Sequence, residues 1–478
     1  MTRRSASMCR SSRSISSTPR AMPAETATDA FSSPATRGRR TMPPVARSKG
    51  SNEMTFKSNR RQFLFGAAAS SLAITAAGGI GRAFAQDQQL VFWSQLAGSK
   101  KAAGEALEAA FKTAHPEIAL NSSLFAEPSQ LNEKILTAIN GNTAPDLFIQ
   151  HWDYTLTYST GDKLADLKAG LANVDFAGLD ASLLAYGNIG GQQVSVPLYG
   201  TSRGLGINRK YVTEAGLDAD KGPQDWAELR EWAKALTKRQ DNGLLEVAGL
   251  SMFHNDLETW EIFTLLLQGA GGTLFNDDLT APAFGGAEGL AAINFMFELL
   301  HTDKVTDLGF GLGPGGSASP INQGRAAMII AGNYSTNNAL KAGIEFDVLP
   351  IPMEKGGFTS LVDPFSFAVT KASPNQAAAL SFVEFALSQE QQVAFALASK
   401  NVPVLKAAQQ DPTVQADPFL AKFIKTASFA PPKAAAIPAF SRMVTIIARA
   451  VQETLFKRVT AEEALKAAEA EVIAVLGR

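Results

Sequence analysis

The feature that most constrains this chain is an alternation of strand and helix between residues 89 and 150. Gln89-Leu90-Val91-Phe92-Trp93 is an apolar run of strand length. The next stretch reads as a helix with Ser99 as N-cap, Leu107 and Phe111 four apart on one face, and an end at His115-Pro116. Ile118 to Phe125 reads as a second strand. Pro128 to Asn140 reads as a second helix with Gly141 as its C-cap, and Asp146-Leu147-Phe148-Ile149-Gln150 as a third strand. Strands joined by helical crossovers must run parallel, which predicts a doubly wound α/β sheet with helices on its faces. In such sheets a ligand sits beyond the carboxyl ends of the strands. Those ends carry Trp93-Ser94-Gln95, Phe125-Ala126-Glu127 and Gln150-His151-Trp152-Asp153-Tyr154. Aromatic faces and hydrogen-bonding groups at three strand ends are the first sign of a site.

A second α/β unit follows. Val194 to Tyr199 leads through Gly200-Thr201-Ser202-Arg203-Gly204 into Leu205-Gly206-Ile207-Asn208, and helices are expected around Pro223–Gln240, Leu257–Gln268 and Ala287–His301. A Gly/Ser-rich loop, Gly309–Ser319, precedes Gln323 to Ile330, read as a helix end running into a strand. Asp363-Pro364-Phe365-Ser366-Phe367-Ala368-Val369 reads as a return crossing. The tail is helical, and its last helix opens with the capping box Thr460-x-x-Glu463.

The amino terminus belongs to neither unit. Residues 1–53 hold ten Lys/Arg against three Asp/Glu, are rich in Ser, Thr and Pro, and show no hydrophobic period. Such a stretch buries too little apolar surface to offset its ordering entropy. It is expected to be a disordered extension upstream of a leader that begins at Met54. Asn59-Arg60-Arg61-Gln62-Phe63-Leu64 is a twin-arginine core, a mildly apolar run continues to Ile74, and Ala83-Phe84-Ala85 is a small-x-small cleavage site. Together they predict a Tat-type signal peptide over 54–85, cut after Ala85, and a soluble periplasmic product.

Removing residues 1–85, with fourteen Lys/Arg and three Asp/Glu, leaves 30 basic and 42 acidic side chains, a net charge of −12. A surface this acidic repels nucleic acid and anionic lipid. The only cysteine, Cys9, is in the discarded part, so no disulfide supports the fold and the core must suffice. The histidines at 115, 151, 254 and 301 have no metal-ligand spacing, and neither metal nor cofactor is expected. Gly311-x-Gly313-x-x-Gly316 contains Pro314 and follows no clear strand, so it reads as a loop rather than a dinucleotide site. Glu127 with Asp153 is the one pair that could serve a glycosidase. The chain is read as a non-enzyme.

A set of markers spread along the chain gives a more specific reading. They are Leu90-Val91-Phe92-Trp93, Ala144-Pro145-Asp146-Leu147, Val196-Pro197-Leu198-Tyr199-Gly200 with Gly206-Ile207-Asn208, Gln323-Gly324-Arg325-Ala326-Ala327-Met328 with Gly332-Asn333-Tyr334, Phe367-Ala368-Val369-Thr370-Lys371, and Asn401-Val402-Pro403-Val404. In this order and spacing the chain resembles the extracellular solute-binding protein family 1, the sugar-binding components of ABC transporters. The resemblance implies a two-lobed periplasmic binding protein of the type II-like, Venus-flytrap kind, each lobe a doubly wound sheet flanked by helices. The expected division is 86–199 with 363–400 as the amino-terminal lobe and 200–362 as the carboxyl-terminal lobe. Residues 401–478 are expected as a helical segment packing on both.

The resemblance further implies hinge closure on a small-molecule ligand, expected to be a carbohydrate, and delivery by a monomer to ABC permease subunits at the inner membrane. Aromatic faces suit the C–H face of a pyranose, and placed polar groups suit its hydroxyls. The stacking candidates are Trp93, Trp152, Tyr199, Trp260 and Tyr334. The hydroxyl partners are Gln95, Glu127, Asp153, Asn333 and Asp363, while Trp226 and Trp232 are left to the core or surface. Arg203 either grips a carboxylate or phosphate, as in a uronic acid or sugar phosphate, or forms a hinge salt bridge. A polyol ligand and a periplasmic sensor domain would use the same fold and cleft.

Overall fold

The computed structural model describes residues 88–126, 128–252, 256–276, 280–310, 319–431 and 440–477. The extension 1–53, the leader 54–85 with its cleavage point, Glu127, His254 and the glycine pattern at 311–316 lie outside the described residues.

The chain opens with β1 (Gln88–Ser94), α1 (Lys101–Ala114), β2 (Ile118–Leu124), α2 (Pro128–Asn140) and β3 (Leu147–His151). β1 pairs in parallel with both β2 and β3, as the helical crossovers require. Two local expectations differ. Gly98, at φ +59°, turns the backbone into a single 3-10 turn, Gly98–Lys100, so α1 starts at Lys101 without a side-chain cap and Ser99 lies inside the turn. After α2 the left-handed residue is Asn142 rather than Gly141.

Next come β4 (Val196–Asn208), α3 (Trp226–Leu236), β5 (Leu245–Ser251), α4 (Asp256–Gly269), α5 (Ala287–His301), β6 (Ala326–Gly332), α6 (Tyr334–Lys341), β7 (Phe346–Leu349) and β8 (Val362–Val369). The tail adds α7 (Gln376–Ala386), α8 (Gln389–Ser399), α9 (Pro418–Ala427), α10 (Phe440–Leu455) and α11 (Ala461–Val475). The sheet runs β2-β1-β3-β8-β4-β6-β5, with Lys238–Arg239 at its edge and β7 beside β4. β8 is antiparallel to both β3 and β4, because it carries the chain back between them.

β4 is one continuous, fully buried strand rather than two segments around a loop. Its glycines read as loop formers in the sequence, but here they permit close approach of neighbouring elements. A Cβ at Gly204 would stand 2.6 Å from Val348, and one at Gly206 2.8 Å from Phe346. Residues 320–324 before β6 form a turn rather than a helix end.

Each half of the sheet is covered on both faces, which makes two lobes. Leu90, Phe92, Phe111, Val196, Phe367 and Phe382 lie in the core on one face of the first half. Leu131, Ile135, Phe148 and Tyr158 cover the other face. In the second half, Leu205, Ile207, Phe263, Met296 and Ile447 form the largest core. Ala248, Ile329, Phe346 and Phe423 fill the opposite face. The helices α10 and α11 pack against α4 and α5, so they belong to the second lobe's core. The capping box at Thr460 forms as the spacing predicts.

Truncating Ile447, fully buried on α10, should cost about 2–5 kcal/mol. A urea midpoint shift measured by circular dichroism checks this, and an unchanged midpoint would show that α10 is not integral to the core.

Candidate functional site

The site lies where β3, β4 and β8 meet and α4 crosses them. Its centre is Arg203, on the buried strand β4. The guanidinium Nε donates to Glu261 at 3.0 Å, and Nη2 ion-pairs with both Glu261 and Asp363, the latter at 3.0 Å. Nη1 donates to the Thr201 hydroxyl at 3.0 Å. All three charged groups are buried. Burial disfavours the charged guanidinium, but Glu261 and Asp363 more than offset it and hold the Arg203 pKa well above its ordinary value. Arg203 is therefore held in a buried salt bridge with Glu261 and Asp363.

Aromatic rings bridge the lobes beside this triad. Trp152 follows β3, Trp260 lies on α4, and Phe440 opens α10 between them. The Trp152 and Phe440 ring centres are 4.3 Å apart, and Trp260 meets Phe440 edge-on at 5.0 Å. Tyr186 packs edge-on against Trp152 at 5.0 Å and donates its hydroxyl to the Val362 carbonyl. The Arg203 guanidinium sits 5.5 Å from the centre of the Tyr334 ring. Burial raises the Tyr334 phenol's pKa against the opposing pull of Arg203, so the ring is a neutral donor. The Trp260 indole N–H, buried with its ring, has no hydrogen-bond partner among the described residues.

His151 and Asp153 complete this wall, with His151 Nδ1 2.7 Å from an Asp153 oxygen. Burial disfavours the imidazolium, but Asp153, with Asp363 and Glu261 farther away, outweighs it and raises the pKa. The His151 ring lies 4.8 Å from Phe365.

The contacts thus link Trp152, Asp153, Arg203, Trp260, Tyr334 and Asp363. Other candidates are placed differently. Tyr199 is stacked between Phe365 at 4.9 Å and Phe395 at 5.4 Å. Asn333 is buried and accepts from the Ser202 backbone while donating to the Lys400 carbonyl. Trp93 packs on Phe125 at 5.6 Å. Gln95 is buried, and neither end of its amide has a hydrogen-bond partner among the described residues. Sequence reasoning missed Glu261, Tyr186 and Phe440. Glu261 had a legible signal: an acid inside the apolar run Trp260-Glu261-Ile262-Phe263 is buried with the helix and must be paired.

The family model for bacterial extracellular solute-binding proteins matches residues 93–393. The chain belongs to this family. It is a solute-binding protein, not an enzyme. Among its relatives, the maltotriose-binding protein of Pyrococcus abyssi is 22% identical over 70% of this chain and 70% of its own length. The GacH receptor of Streptomyces glaucescens, solved unliganded and with acarbose, superposes with a TM-score of 0.72 at 20% identity, covering 82% of this chain and 99% of that one. UgpB of Mycobacterium tuberculosis, solved with glycerophosphocholine, gives a TM-score of 0.72 at 19% identity over 82% of this chain and 98% of that one.

Two consequences of the triad and the histidine pair are measurable. Replacing Arg203 by Met leaves two buried carboxylates facing each other and should cost about 3–5 kcal/mol in urea unfolding. A loss below about 1 kcal/mol, the scale of an exposed pair, would show that the triad adds little. Because His151 has a raised pKa in the folded state, its proton contributes stability that is full below the ordinary imidazole value of about 6.5. That stability disappears as pH rises through the folded value. The urea midpoint of the native protein should therefore exceed that of His151→Gln by more at pH 5.5 than at pH 8.5, and an equal difference at both would refute the assignment.

Proposed function

We propose that this solute-binding protein captures a sugar or short oligosaccharide between its lobes and delivers it to the permease subunits of an ABC importer. The observation that carries the reading is the aromatic bridge of Trp152, Phe440 and Trp260 beside the Arg203–Glu261–Asp363 triad. One lobe contributes Trp152 and the other contributes Trp260, so a pyranose held at the edge of this bridge favours the closed form by contacting each lobe. Asp153 and the triad carboxylates accept from sugar hydroxyls, and the unpartnered indole N–H of Trp260 donates to a sugar oxygen. The maltotriose-binding relative and the GacH receptor solved with acarbose support a carbohydrate. The twin-arginine leader supports export and action in the periplasm, after cleavage behind Ala85.

A thermal-shift screen of the purified protein against neutral mono- and oligosaccharides, maltotriose included, tests this. A ligand at about one hundred times its Kd adds about 2.7 kcal/mol of stability by mass action, which raises the melting temperature. Trp152→Ala should weaken the binding of any hit by about tenfold or more, since aromatic stacking of this kind is worth about 0.5–1.5 kcal/mol beyond area burial. A panel without a single shift, or a hit untouched by Trp152→Ala, would overturn the sugar reading or this placement of it.

A further inference from the structure

The turn Gly98–Lys100 lies at the carboxyl end of β1 and packs against α6 of one lobe and α8 of the other. It therefore sits on the seam between the lobes, at the position where open α/β sheets place ligands. Lys100, the last residue of the turn, extends its ammonium over two aromatic faces. Nζ is 4.9 Å from the ring centre of Phe365 and 5.9 Å from that of Tyr199. Phe365 in turn packs on His151, so Lys100 adjoins the wall described above.

Two features set this lysine apart. Among the described residues no carboxylate lies within ion-pair distance of it, although lysines and arginines elsewhere, such as Lys400 with Asp417 and Arg230 with Asp303, are paired. Half-buried over apolar rings, it keeps its charge at a cost, and burial lowers its pKa to about 8. The seam also holds buried polar atoms without partners among the described residues, contributed by both lobes. They are both ends of the Gln95 amide, three residues before the turn, and the Thr336 hydroxyl on the α6 helix that packs against it. An unpartnered buried polar group costs about 1–3 kcal/mol and is rare in folded proteins.

We propose that the sugar bound here is acidic, carrying a carboxylate or phosphate that Lys100 neutralises with Gln95 and Thr336 as hydrogen-bonding partners. This rests on the sugar reading above and assigns the ligand's class within it. The polarity of the cleft is consistent with it. Glu261, Asp363 and Asp153 crowd the adjoining wall, where Arg203 is already engaged by two carboxylates. An anionic group is repelled from that wall toward Lys100, while its hydroxyls face the acceptors. The role that the sequence offered to Arg203 thus passes to Lys100.

Isothermal titration of the purified protein decides the matter. Each neutral sugar of a panel is compared with its uronate and with its phosphate ester: glucose with glucuronate and glucose 6-phosphate, galactose with galacturonate and galactose 6-phosphate, and maltotriose with its singly oxidised acid. The acidic member of the bound pair should bind about tenfold or more tighter than the neutral one, the scale of one charge-assisted contact. Lys100→Gln should abolish that preference, so that the acid and its neutral partner bind with equal affinity, and Lys100→Arg should retain it. Which of carboxylate or phosphate binds distinguishes the two sources of charge. Neutral sugars binding as tightly as their acids, or an acid preference that survives Lys100→Gln, overturns this inference and leaves the sugar reading intact. If no neutral or acidic sugar binds at all, the sugar reading fails and this inference with it.

Discussion

Much of this molecule depends on one buried cation. Arg203 stands on the strand that both lobes share, and its two carboxylate partners come from the returning strand β8 and from α4 of the second lobe. Three charges removed from water in one place are stable only as a set. Removing Arg203 leaves two carboxylates uncompensated in a low-dielectric setting, whereas removing one carboxylate leaves a single ion pair. The triad therefore fixes how α4 is seated against the crossing strands, and with it the position of Trp260, the residue next to Glu261.

That arrangement explains how the cleft is built from parts remote in the chain. Strand β3 delivers His151, Trp152 and Asp153, β4 delivers Arg203, and β8 delivers Asp363 and Phe365. The helices α4, α6 and α10 add Trp260 with Glu261, Tyr334 and Phe440. Rigid, buried elements hold these side chains, and the rings and ions restrain one another. The pre-organisation is useful for binding, because side chains already ordered lose little further freedom when a ligand arrives.

The sequence disclosed the fold more readily than the site, and particular residues show why. β1, β2, β3 and the helices between them lie within a residue or two of their expected limits, because hydrophobic period and punctuation by Gly and Pro are local signals. β4 was obscured by its glycines, whose need for space comes from Val348 and Phe346, far away in sequence. Trp152 and Asp153 were candidates from their strand-end position, and Trp260 and Asp363 from side-chain chemistry alone. Lys100 was not: it stands beside Lys101, and nothing local distinguishes a lysine turned into a seam from one in water. Phe440 reads as an ordinary apolar residue on an amphipathic helix. Which face of α10 lies between two tryptophans is decided only by tertiary packing.

The route of the chain has a kinetic consequence. The strand that completes the first lobe, β8, arrives only after the second lobe's strands and most of its helices. The Thr370 hydroxyl donates to the Pro145 carbonyl at 2.6 Å across 225 residues of sequence. A nascent chain that has emerged as far as β3 thus holds a sheet with an open, apolar edge, which it cannot close from its own sequence. Contacts of this separation carry a large loop-closure entropy and slow folding, and unpaired edges invite mispairing while they wait. The half-made lobe is the species most in need of protection, and the interval before β8 emerges is when a chaperone holding that exposed edge would matter most.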